Sequence, residues 1–183
     1  MLYTRKGDKG TTIIFGCDQR ISKSSAIAEA LGALDETNSF LGSCKVQEKA
    51  VSLQILTASF SKIIHQVQQN LFIIQAELAG ARKSISEDKI KEIEKIIDET
   101  EKILPPIKTF FISGGTELAT LFDIARTIAR RAERRLVEVS EEGKVKIGLS
   151  SLSYLNRLSS LLYALTRLTN YKSGINEESP SYQ

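Results

Sequence analysis

The stretch "ELATLFDIARTIARRAERRLVEV", Glu117 to Val139, contains neither glycine nor proline. At about 100° per residue, Leu118, Leu121, Ala125, Ala129, Ala132 and Leu136 fall on one arc of a helix, which must face a core. Arg126, Arg130 and Arg134 are each four apart and fall within an adjoining arc of about 80°. Glu133 lies beside them, and Arg131 and Arg135 point away toward solvent. An amphipathic helix of this length belongs in a helical bundle. Its basic stripe, set against the apolar face, asks for an explanation.

The rest of the chain repeats the helical pattern. Only three prolines occur, Pro105, Pro106 and Pro180. From Ala26, the residues Ile27, Ala30, Leu31, Leu34 and Leu41 recur at helical spacing and predict a helix ending near Gly42. A second helix is expected from about Ser52 to Ala79, through Leu56, Ile63, Val67, Leu71, Ile74 and Leu78. Ser84 with Glu87 reads as a capping box opening a third helix, Asp88 to Ile103, which Pro105 and Pro106 stop. Ser150 or Ser151 is expected to cap a fifth, Leu152 to about Tyr171. Residues 1–24 are rich in Gly, Lys and Thr, with no sustained period, and read as an irregular arm. Residues 25–171 form the bundle, and the polar tail 172–183 is expected to be mobile. The fold class is all-α, a five-helix antiparallel bundle with an irregular N-terminal arm.

Composition limits the chemistry. The 183 residues are 42% hydrophobic and 26% charged, with a net charge of +3, as in an ordinary soluble protein. No apolar run approaches the roughly 18 residues a membrane span needs, and the first residues do not read as a signal peptide. Cys17 and Cys44 are too few and too far apart for a disulfide framework or zinc site, so a reduced, cytoplasmic setting is expected. His65 is the only histidine and reads as structural or surface, so a catalytic triad, a His-rich metal site or a His-based relay is not expected.

An arginine-rich helix is ordinarily a solvated charged face. Here three arginines in line at the core edge repel one another unless an anion sits among them, and one glutamate cannot neutralise three. Guanidinium, unlike ammonium, offers a rigid fork matched to phosphate oxygens. A second basic feature is "TRKGDKGTT", Thr4 to Thr12. Gly7 and Gly10 allow backbone N–H groups to converge on an anion. Thr4, Thr11 and Thr12 add hydroxyls, and Arg5, Lys6 and Lys9 add charge. This is not a Walker A loop, whose spacing is missing. Alone, such an arm is more often a loose terminus. "RISK", Arg20 to Lys23, adds another cation. Two separated cationic elements suit a polyanion, either a triphosphate or a nucleic acid.

In order, "YTRKGDKGTT", "RISK", "ALDETNSFLG" (Ala33 to Gly42), "FFISGGT" (Phe110 to Thr116), "ARTIARRAERR" (Ala125 to Arg135) and "YLNRLSSLL" (Tyr154 to Leu162) resemble the PduO-type ATP:cob(I)alamin adenosyltransferases over about residues 3 to 171. The resemblance implies a five-helix bundle assembling as a homotrimer with sites between subunits. It implies transfer of the 5′-deoxyadenosyl group of ATP to the cobalt of cob(I)alamin, release of triphosphate, and help from Mg²⁺, with no protein ligand for the metal identified. Thr4, Arg5, Gly7, Lys9, Gly10, Thr11, Thr12 and Lys23 would wrap the triphosphate. Arg130, Glu133 and Arg134 would hold ATP, and Asn156 would contact the nucleotide. Asp35 would pair with Arg126 across the subunit boundary, and Phe110 would pack under the corrin ring. Ser113 stands where proline is frequent and Ser160 where aspartate is frequent; the first bears on the loop carrying Phe110. A reductase and cobalamin-dependent enzymes are expected partners, and nucleic acid and membrane are not. The readings that compete are a non-catalytic ATP or corrinoid sensor or chaperone, and a helical nucleic-acid module whose binding would fall steeply with salt.

Overall fold

The computed structural model describes residues 3–14, 19–51, 54–55 and 58–182. Five helices carry it: α1 (Ala26–Val51), α2 (Phe60–Leu78), α3 (Glu87–Glu101), α4 (Glu117–Glu141) and α5 (Leu149–Lys172). Helix α4 packs on α1 and α5, α3 packs on α5, and α2 packs on α1. The facing apolar stripes meet in one core that includes Leu34, Leu41, Phe60, Leu71, Phe122, Leu136, Leu158 and Leu165. Phe60 meets Phe122 edge to face at 5.8 Å, the geometry that ring quadrupoles favour. Burial pushes the Cys44 thiol up to about 12, so the thiol stays neutral and inert, while Cys17 lies outside the described residues.

The helix ends show where local sequence signals were overridden. Helix α1 runs past Gly42 to Val51, because its next turn buries Cys44; one glycine costs only about 1 kcal/mol in a helix interior. Helix α2 begins at Phe60, later than expected, and the Ser59 side chain accepts a hydrogen bond from the Lys62 N–H at 3.4 Å; Ser52 and Leu56, placed in this helix by the sequence pattern, lie outside the described residues. Two short strands precede it, β3 (Gln54–Ile55) and β4 (Ala58–Ser59) in chain order. The expected capping box at Ser84 does not form. Ser86 is the cap residue of α3, without a side-chain bond, and the intervening Ile85 is buried in the core. Helix α5 starts at Leu149 without a serine cap. The carboxylate of Glu77, reaching over from α2, accepts the Gly148 N–H at 2.9 Å and the Ser151 hydroxyl.

Two further expectations are revised. The arm is not wholly irregular: β1 (Thr11–Ile13) pairs antiparallel with β2 (Arg20–Ser22). The tail expected to be mobile makes specific contacts with the bundle. The Ile175 N–H donates to the Asn170 carbonyl, the Glu178 carbonyl accepts from the Ile112 N–H, and Glu177 pairs with Arg167.

Candidate active site

Helix α4 sits between α1 and α5 and turns its arginine stripe to the boundary of the packed face. Ala125, Ala129 and Ala132 are buried, and they bring the helix backbone close to its neighbours. Arg126 is half-buried and Arg130 is exposed. Together with Phe110, Phe111, Asp123, Tyr163 and Arg167 they line a groove of about 850 Å³ between the 107–115 loop, α4, α5 and the tail. Phe110 is 78% exposed at the groove. Ser113 and Ser160, the two positions that depart from the usual pattern, line the same groove.

The charges are unevenly compensated. Arg126 donates from Nε to Asp123 Oδ1 at 2.7 Å and stands over the Tyr163 ring at 5.9 Å. Its outer nitrogens therefore remain available to a second acceptor. Arg130 has no ion pair or side-chain hydrogen bond among the described residues. Arg134 donates only to the Arg130 carbonyl, at 3.1 Å. Glu133, which the helical wheel placed beside the arginines, pairs with none of them and accepts from Asn156 Nδ2 at 2.9 Å. Arg157 then links Asn156 to Glu94 on α3. Glu133 and Asn156, read separately from sequence, thus meet on adjoining helices beside two unneutralised guanidinium groups. Arg131 and Arg135 point to solvent, as expected, and form surface pairs there: Arg131 with Glu36 on α1, and Arg135 with Glu138 on its own helix.

The arm has an internal organiser that sequence reading passed over as a mere cation. Arg20 donates to the Lys6 carbonyl at 2.6 Å, to the Thr11 carbonyl at 2.8 Å and from Nε to the Thr11 hydroxyl at 2.8 Å. Three bonds from one planar fork tie the 4–12 loop to β2. Gly10 adopts φ +76°, a conformation glycine accepts without strain, and its carbonyl takes the Lys23 N–H at 2.9 Å. The Lys23 ammonium lies directly over Gly7: a Cβ there would stand 3.3 Å from Nζ. The sequence set Lys23 beside this loop as a reachable cation, and the structure brings the two together. Lys6, Lys9 and Lys23 have no carboxylate partner among the described residues.

Within the one chain, no hydrogen bond or ion pair among the described residues joins the arm to Arg126, Arg130 or Arg134. No described arm residue lines the groove, and Asp35 is exposed on α1 without contact to Arg126 among the described bonds. The residues that hold the Phe110 loop were also missed. Arg167 is a charged residue inside the apolar run Leu161–Leu168 of α5, and that anomaly was the available signal. Its hydrogen bond to Glu177 is the chief reason it is held more firmly protonated than usual, while burial pushes the Tyr163 phenol above its ordinary value.

The family model for cobalamin adenosyltransferase matches residues 2–169. The chain belongs to the cobalamin adenosyltransferase family. It is 39% identical over 177 residues to the corrinoid adenosyltransferase PduO of Citrobacter freundii, covering 93% of this chain and 50% of that protein. The PduO protein of Salmonella typhimurium strain LT2 is also 39% identical, with 91% and 48% covered. The chain thus spans about half the length of these two relatives. The corrinoid adenosyltransferase of Bacillus subtilis strain 168 is 37% identical, with 96% of this chain and 90% of that protein covered. A variant PduO-type ATP:corrinoid adenosyltransferase from Lactobacillus reuteri, solved complexed with cobalamin and ATP, superposes with a TM-score of 0.86 at 30% identity, covering 100% of this chain and 97% of that one.

Proposed function

We propose that the protein transfers the 5′-deoxyadenosyl group of ATP to the cobalt of cob(I)alamin and releases triphosphate. The observation that carries this reading is the conjunction, in one family fold, of unneutralised Arg130 and Arg134 beside the Glu133–Asn156 pair, with exposed Phe110 on the adjoining groove. Cobalt(I) supplies the nucleophile. It forms a bond to the ribose 5′ carbon while the carbon–oxygen bond breaks, and that electron pair leaves on the triphosphate. The protein therefore needs no His, Ser or Cys nucleophile. It must align the 5′ carbon, exclude water and stabilise the charge that grows on the leaving group.

Each residue then has a task. Arg130 and Arg134 fork onto phosphate oxygens, and Glu133 with Asn156 orients the nucleoside end. The arm residues Thr4, Arg5, Gly7, Lys9, Gly10, Thr11 and Thr12, with Lys23, close over the triphosphate. The Thr11 oxygen accepts from Arg20, which leaves the hydroxyl proton to donate to phosphate. Because no described arm residue lines the groove of its own chain, the arm of one protomer would close the site of the next in a homotrimer. Asp35 of one subunit would take the outer nitrogens of Arg126 in another. Phe110 would press on the lower face of the corrin and favour four-coordinate cobalt. Mg²⁺ fits as a companion of the triphosphate. The described residues hold no cluster of three His, Cys, Asp or Glu, and Mg²⁺ is commonly bound through phosphates with one or two carboxylates. A cytoplasmic location with a reductase supplying cobalt(I) follows from the same reading, and no described helix is long and apolar enough to cross a membrane.

Purified protein with ATP, Mg²⁺ and chemically reduced cobalamin, kept anaerobic, is expected to yield the absorption spectrum of adenosylcobalamin. An unchanged corrinoid spectrum with intact ATP binding would favour the sensor or chaperone reading.

A further inference from the structure

The loop from Ile107 to Gly115 has no helix or strand of its own, yet it exposes Ile107, Phe110 and Ile112. Apolar side chains held out in water need a backbone anchored elsewhere, and here the anchors come from the end of α5 and the tail. Asn170 is buried and holds the loop's far end: its Nδ2 donates to the Gly114 carbonyl at 2.9 Å and its Oδ1 accepts the Thr116 N–H at 3.0 Å. The Glu178 carbonyl accepts the Ile112 N–H at 2.8 Å, two residues from Phe110. Arg167 fixes the segment that carries that carbonyl. It is only 4% exposed, donates from Nε and Nη2 to Glu177 at 2.8 Å each, donates to the Pro105 carbonyl at 3.0 Å, and lies over the Phe111 ring at 5.2 Å.

The tail is polar and has little apolar surface with which to dock. An ion pair between partly exposed Glu177 and buried Arg167 ties it down alongside the backbone bonds, and removing Glu177 would leave a buried guanidinium without its counter-charge. Residues 175–178 also line the groove. We propose that the tail is a strap forming one wall of the corrinoid groove, and that Glu177, acting through Arg167, is a positioning residue for the Phe110 loop. This inference rests on the adenosyltransferase reading for its effect on rate, but the clamp itself is testable without substrate.

The test compares the full chain with Glu177→Gln, which keeps side-chain volume and one hydrogen bond, and with Glu177→Ala. In the free protein, amide hydrogen exchange over residues 108–116 should accelerate at least about ten-fold in Glu177→Ala, while the helices keep wild-type protection. With substrates, kcat should fall about 10- to 100-fold, as a misplaced contact group costs, while KM for ATP stays within about two-fold. The share of ATP-bound cob(II)alamin that gives the four-coordinate spectrum should fall in the order wild type, Glu177→Gln, Glu177→Ala. Unchanged exchange over 108–116 in folded Glu177→Ala, or loss of protection spread evenly over all five helices, would overturn the proposal. If wild type makes no adenosylcobalamin, the functional reading fails, while the exchange result still decides the clamp.

Discussion

At the residue scale, Arg130 is the sharpest element of the site. It is exposed, charged and without an ion partner among the described residues, and it sits four residues from Arg134, whose guanidinium also meets no carboxylate. Two such neighbours raise each other's energy until an anion arrives. Arg130→Ala should therefore leave helix content by circular dichroism and thermal stability nearly unchanged, because an exposed side chain is removed. Adenosylation should fall by about 100-fold or more, the effect of losing one preorganised donor to a developing negative charge. A fully active variant would mean that the stripe does not hold the leaving group. The stripe was legible because a 3.6-residue period fixes which arginines share a face. The pairing of Glu133 was not: a wheel shows neighbours on one helix and says nothing of Asn156 on the next.

At the scale of elements, the five helices were legible from apolar periodicity, and so were ends such as the start of α4 at Glu117; the ends that were not are those set by tertiary contacts. The α5 start is the clearest case. Ser150 and Ser151 looked like caps, yet the capping carboxylate is Glu77, 71 residues from Gly148 in sequence. A cap supplied by another helix has no local signature. The same holds for the tail, whose polar composition reads as mobile, while its contacts include the pairing of Glu177 with buried Arg167. The loop ahead of α4 depends on Gly115, which adopts φ +108° and would place a Cβ 2.1 Å from Asn170 Oδ1. Gly115→Ala should lower the unfolding free energy by about 1–3 kcal/mol through left-handed strain and loss of the Asn170 bonds, read as a reduced denaturant midpoint. An unchanged midpoint would show that the loop is not held as described.

At the scale of the whole molecule, the cationic elements divide between two places. The arm is organised by Arg20 around Gly7, Gly10 and Lys23, and the stripe lies along α4, with no described arm residue lining the groove. Each half alone is weak: a small basic hairpin, and a charged helix face. Joined between subunits, they would surround a triphosphate with cations from two sides, which suits holding a leaving group and requires no Walker geometry. This division also explains why sequence order alone revealed the parts without their arrangement.

Attack at the ribose 5′ carbon, with triphosphate as the leaving group, can be followed by phosphorus NMR of the anaerobic reaction of protein, Mg·ATP and cob(I)alamin. One inorganic triphosphate is expected for each adenosylcobalamin formed, with no ADP. Orthophosphate with ADP, or ATP left intact while corrinoid is bound, would contradict it.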